Sequence, residues 1–113
     1  MYVISFYVPE THLQGVKQAL FDRGAGKIGH YDSCAWQTKG RGQFRPLDGS
    51  SPFSGKQDRI SQVDEYKVEM VCSDDVIAHV IKALHRSHPY EQPAYHVIKT
   101  AFPAHSGDCN DPV

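Results

Sequence analysis

A few short stretches of this chain hold the side chains able to do chemistry. His88-Pro89-Tyr90-Glu91-Gln92-Pro93 sets an imidazole, a phenol and a carboxyl almost side by side. Such groups can donate and accept protons. The same two prolines also make a rigid turn that presents Tyr90 with no chemistry required. Gly40-Arg41-Gly42-Gln43-Phe44-Arg45-Pro46 flanks an arginine with glycines and follows it with a second. Glycine-freed amides and forked guanidiniums suit an anion, with Phe44 holding the segment to the core. A hairpin turn with solvated arginines has the same composition. His85 and His88 lie near a helix end at a spacing that makes side chains neighbours. They could share a divalent metal if Glu91 or a second subunit supplied further ligands.

Other combinations do not assemble. His30 and Cys34 fall on a stretch read as a strand, hence about 13 Å apart, too far to chelate one ion. Gly24-Ala25-Gly26-Lys27-Ile28-Gly29 spells GxGxxG. A helix precedes it and a strand follows, the reverse of the order that sets phosphates on a helix N-terminus. No Ser–His–Asp, Cys–His or paired-carboxylate set can be built, so no catalytic residue is assigned. Cys34, beside Trp36, and Cys72, on an apolar stripe, read as inert structural thiols.

The elements that must position these groups repeat. A shift of 64 positions brings Tyr2 onto Tyr66, Val16 onto Val80, Ala19 onto Ala83, Leu20 onto Leu84 and Tyr31 onto Tyr95. At the same offset Ile4, Phe6 and Val8 meet Val68, Met70 and Cys72. Each of these triplets alternates as a strand does, and each is followed by apolar residues at helical spacing. Pro9 ends the first strand and Thr11 could cap its helix; Ser73 or Asp74 could cap the second. Second strands are read at His30 to Gln37 and Ala94 to Lys99. The order strand–helix–strand, twice over, predicts an α+β ferredoxin-like split βαβ duplicate: an antiparallel sheet with both helices on one face. The domain is read as residues 1–102, with a long glycine-rich loop over 40–60 and a flexible tail over 103–113. The open sheet face would carry Val3, Ser5, Tyr7, Lys67, Glu69 and Val71, a surface that is either partly solvated or a subunit interface.

Composition narrows the function. The chain has 113 residues, with 40% hydrophobic and 22% charged, a globular balance. Lys plus Arg number 12 against 13 acidic residues, which argues against nucleic acid as a partner. No apolar run approaches a membrane span, and no signal peptide is visible, so a cytoplasmic location is expected. Three dispersed cysteines fit neither a disulfide framework nor a zinc ribbon.

Together, Gly24 to Cys34, Gly40 to Pro46, Val63-Asp64-Glu65 and His88 to Tyr95 resemble the YqfO-type PII/CutA-like domain. That domain occurs alone and as an insert of Nif-three-like proteins. Its His-Pro-Tyr-Glu-x-Pro stretch is shared with CutA proteins. The resemblance covers Tyr2 to about Lys99. It implies a PII/CutA-like fold that forms homo-oligomers, trimers above all, and that binds small effectors or divalent metals without established enzyme activity. The dinuclear-metal machinery of the larger proteins lies in another domain, so it is not transferred.

The expected function is therefore a non-enzymatic, oligomeric module that senses or regulates by binding a small effector or a divalent metal. Gly40, Arg41, Gly42, Phe44, Arg45, Tyr90 and Glu91 are the expected contacts to a small anionic ligand, and His88 with His85 the expected metal pair. No certain cofactor is implied beyond a possible divalent metal. The alternative is a small enzyme using His88, Tyr90 and Glu91 for acid–base chemistry in a cleft between subunits. An RNA-recognition module shares the strand–helix order, but no aromatic RNP run lies on the strand around Tyr66 to Cys72.

Overall fold

A computed structural model describes residues 1–101; the tail expected over 103–113 lies outside the described residues. The elements run β1 (Tyr2–Pro9), α1 (Glu10–Asp22), β2 (Trp36–Phe44), β3 (Ser61–Cys72), α2 (Ile77–Ser87) and β4 (Tyr95–Lys99). The four strands form one antiparallel sheet in the order β2-β3-β1-β4. This is the ferredoxin-like split βαβ arrangement read from the repeat. Among the described residues, no helix is long and apolar enough to cross a membrane.

The core lies between one sheet face and the two helices. Ile4, Phe6 and Val8 of β1 and Val68, Met70 and Cys72 of β3 meet Leu13, Val16 and Leu20 of α1 and Val80, Ala83 and Leu84 of α2. The duplication is thus real packing over the first strand and helix of each half. It stops there, because Tyr95 is part of β4 whereas its counterpart Tyr31 is exposed in a turn.

That turn region differs from the expected strand at His30 to Gln37. After α1, Gly24 and Gly26 adopt positive φ, and Gly26 bonds both Val71 O and Cys34 N. A Cβ on Gly26 would lie 2.8 Å from both Cys34 O and the Phe21 ring, so the chain crosses too closely for any side chain. The strand therefore begins only at Trp36 and runs to Phe44, taking in the segment expected to open a loop. Neither helix uses the expected side-chain cap. Pro9 fills the N-cap of α1 and Val76 that of α2.

The β2–β3 hairpin reaches beyond the helices. Its register pairs Trp36 with Glu69 at one end and Phe44 with Ser61 at the other. The molecule measures 54 × 24 × 24 Å, with a radius of gyration of 15.8 Å, against about 13 Å for a compact domain of this size. The open face of the sheet carries the expected Val3, Ser5, Tyr7, Lys67, Glu69 and Val71, joined by Trp36 and Ile98.

Candidate functional site

Strand alternation decides which residues of the arm can meet. Gly40, Gly42 and Phe44 share the open face with Glu65, Val63 and Tyr7, whereas Arg41 lies on the other side, opposite Asp64. Where this face meets the segment 45–60 and the turn after α2, a cavity of about 270 Å³ opens. Tyr7, Phe44, Phe53 and Tyr90 give it aromatic walls, Val63 and Pro52 add apolar surface, and Glu65 and Glu91 supply carboxyls. Phe44 and Phe53 stand 6.5 and 6.1 Å from Tyr90, centroid to centroid.

Each member of the His-Pro-Tyr-Glu turn has a distinct task. His88 is only 6% exposed. Its Nε2 lies 2.6 Å from Tyr7 O and, since a carbonyl only accepts, must carry the proton. Its Nδ1 accepts the Tyr90 backbone N–H at 3.1 Å. The imidazole is thereby a neutral clamp between the end of β1 and the turn. Burial pushes its pKa below the ordinary histidine value; the bond to Tyr7 opposes this only in part, and His12 and His85 add to the depression. Tyr90 extends over the open face, its hydroxyl donating to Glu65 Oε2 at 3.5 Å. Glu91 Oε2 accepts the Ser51 backbone N–H at 2.9 Å and so latches the 45–60 segment across the cavity.

Glu65 sits in a space kept open by a missing side chain. A Cβ on Gly42 would overlap the Glu65 carboxyl, so glycine here lets the carboxyl lie flat against the arm. Burial holds the Glu65 pKa above the usual carboxylate range, with the Tyr90 hydrogen bond opposing it. Tyr90 is pushed up as well, first by burial and then by the Glu65 charge.

The structure therefore brings together Phe44, Tyr90 and Glu91, with Gly40 and Gly42 on the same face, and leaves the arginines out. Arg41 Nε is 3.6 Å from Asp64 Oδ1 in an exposed pair. Arg45 is exposed and does not line the cavity. The expected His85–His88 metal pair is not assembled either. Both His88 nitrogens already have protein partners, and His85 Nε2 sits 3.1 Å from the Tyr95 hydroxyl. Among the described residues no group of three or more His, Cys, Asp or Glu converges. Tyr7, Phe53 and Glu65 are the site residues that sequence reasoning missed. The alternation through Tyr66 would have turned Glu65 away from the core, but nothing local places Phe53.

No family model matches the chain. It is 41% identical over 101 residues to the GTP cyclohydrolase 1 type 2 homolog of Halalkalibacterium halodurans, a match spanning 89% of this chain and 27% of that protein. A Bacillus cereus protein related to NIF3 superposes with a TM-score of 0.79 at 33% identity, over 91% of this chain and 26% of that one. The PII-like protein CutA from Nostoc superposes with a TM-score of 0.64 at 15% identity, over 89% of this chain and 82% of that one. The chain thus spans about a quarter of the length of its NIF3-type relatives and has the CutA fold. The resemblance drawn from the four motifs is borne out on both counts.

Proposed function

We propose that this chain, a counterpart of one quarter of a NIF3-type protein with the fold of a PII-like CutA protein, is a non-enzymatic oligomeric module that binds a small effector. The observation that carries this reading is the open-face cavity, which joins apolar walls to a few convergent polar groups, the usual make-up of a small-molecule site. Phe44, Tyr90 and Glu91 line it, Gly42 leaves room for the Glu65 carboxyl beside it, and Gly40 has open space around it. The enzyme alternative is less well supported, because the imidazole it requires is neutral, buried and bonded through both nitrogens. Metal binding through His85 and His88 would need His88 to give up its clamp. Anion capture by Arg41 and Arg45 would need a second subunit to bring the arginines to a ligand.

Self-association is supported by the open face away from the cavity. Val3 lies between Val71 and Ile98 in one row of the sheet. Ile98 of that row is 58% exposed, and Trp36 in the adjoining row is 70% exposed. An apolar row beside an exposed indole fits an interface between copies, and the trimer implied by the resemblance is the favoured ring. Native mass spectrometry of freshly purified protein tests both parts at once: a trimer mass with retained small-molecule adducts is expected. A bare monomer of about 13 kDa across micromolar concentrations would refute the assembly, and would leave the effector without direct support.

A further inference from the structure

The cavity's lining has a one-sided chemistry. Among the described residues its ionisable groups are the carboxyls of Glu65 and Glu91 and the phenols of Tyr7 and Tyr90, and no lysine, arginine or histidine lines it. Among the described residues the ion pairs are made elsewhere: Arg41 with Asp64, Lys67 with Glu69, and Lys99 and the N-terminus with Asp74. Glu91 is occupied by the Ser51 amide. Glu65 is half-buried, and among the described residues its carboxyl accepts a single long hydrogen bond, from Tyr90.

We infer that the cavity takes a small organic cation, such as an alkylated ammonium head, held among the rings of Tyr7, Phe44, Phe53 and Tyr90 against the Glu65 carboxylate. This rests on reading the cavity as the ligand site. Aromatic rings attract cations through their quadrupole, most strongly where water is excluded. An anion would face two carboxylates with no cationic counterpart. A neutral guest would leave the Glu65 charge desolvated with only the long Tyr90 hydrogen bond to offset it, which is unfavourable. A cation relieves that deficit while its alkyl groups fill the apolar walls. The volume of about 270 Å³, at the lower end of the roughly 300–1,000 Å³ of drug-sized sites, suits a compact head rather than a nucleotide. The charge preference is therefore opposite to the anion expected from Arg41 and Arg45.

The test uses three probes of closely similar shape, followed by NMR of the aromatic resonances of Tyr7, Phe53 and Tyr90. Choline is the cation, 3,3-dimethylbutan-1-ol its neutral isostere, and 3,3-dimethylbutanoate the anion. Choline is expected to shift these resonances saturably and to bind roughly fivefold to tenfold more tightly than the alcohol, with the anion weakest. In Glu65→Gln the choline advantage is expected to shrink to the part the rings supply, while the alcohol binds as before. Gly42→Ala, which keeps the charge but displaces the carboxyl, should weaken choline in the same direction. Equal binding of choline and alcohol, tighter binding of the anion, or an unchanged choline advantage in Glu65→Gln would overturn the cation inference and leave the cavity standing as a ligand site. If none of the three shifts the lining resonances at its highest soluble concentration, the cation inference and the cavity reading fall together.

Discussion

Replacing His88 by phenylalanine separates its structural role from the catalytic and metal-binding ones. The ring is of similar bulk, so the main loss is polar: Tyr7 O loses its donor and the Tyr90 N–H loses its acceptor. Leaving a buried group unsatisfied costs about 1–3 kcal/mol each, so the variant should be less stable by roughly 2–6 kcal/mol. At about 4–8 °C per kcal/mol for a domain of this size, the loss is readily seen. The imidazole's depressed pKa adds a signature in pH. Below about 6.5 the unfolded chain binds a proton at His88 that the folded chain refuses. Wild-type stability from this group is therefore complete above that pH and is lost as the pH falls toward the lower folded pKa. The phenylalanine variant lacks this slope, so the gap between the two proteins should narrow as the pH falls. Urea unfolding of both proteins at a series of pH values from 8 down to about 5 measures the gap directly, and subtraction removes the contributions of Glu65 and the other histidines. A loss below about 1 kcal/mol at pH 8, or a gap that does not change with pH, would refute the clamp.

Cys72 is buried, and burial, reinforced by Asp75 and Asp74, pushes its thiol up to about 11. A polar thiol reagent should therefore label it only after unfolding, while half-buried Cys34 reacts in the native protein; equal native labelling would contradict this. The same shift makes stability fall as the pH rises above the ordinary thiol value, because only the unfolded thiol ionises there. Gly42→Ala, whose added methyl meets the movable end of Glu65 rather than backbone, should change unfolding free energy by no more than about 0.5 kcal/mol. A larger loss would mean that the arm cannot adjust.

How much of this could be read in the sequence follows the burial of each residue. Where one face is buried the periodicity is plain: Ile4, Phe6 and Val8, and again Val68, Met70 and Cys72, announce strands, and Val16, Leu20, Val80 and Leu84 announce helices. The arm has no buried face. Trp36 to Arg41 are all exposed, and Gly40 and Gly42 sit inside a strand held by its ladder to β3. Composition alone therefore reads that stretch as loop, and the first half of β3 goes unread for the same reason. The site was half legible. Phe44, Tyr90 and Glu91 converge because a strand and a turn carry them. The arginines diverge because Arg41 differs by one residue in parity from Gly40 and Gly42, and parity is invisible until the strand is known. Cys34 was expected in an apolar strand, but the glycine-rich crossing at Gly26 keeps it in a turn.

The location of the cavity also separates the hold on its rim from the folding core. No residue of the segment 45–60 belongs to the core cluster, which lies on the opposite face of the sheet. Glu91 holds that segment through one hydrogen bond to Ser51, Asp58 N–H closes its base onto Pro46 O, and Phe53 rests between His12 and Tyr90. A charge-assisted bond of the Glu91 kind contributes about 1.5–3 kcal/mol, a small part of the stability of a domain. Lifting the Ser51–Phe53 stretch thus breaks one latch and two ring contacts while every strand and helix stays paired. The residues that resembled a catalytic cluster instead divide the work of building this site. His88 fixes the turn, Tyr90 lines the cavity and Glu91 closes it, so structural tasks alone account for acid, phenol and imidazole standing so near each other.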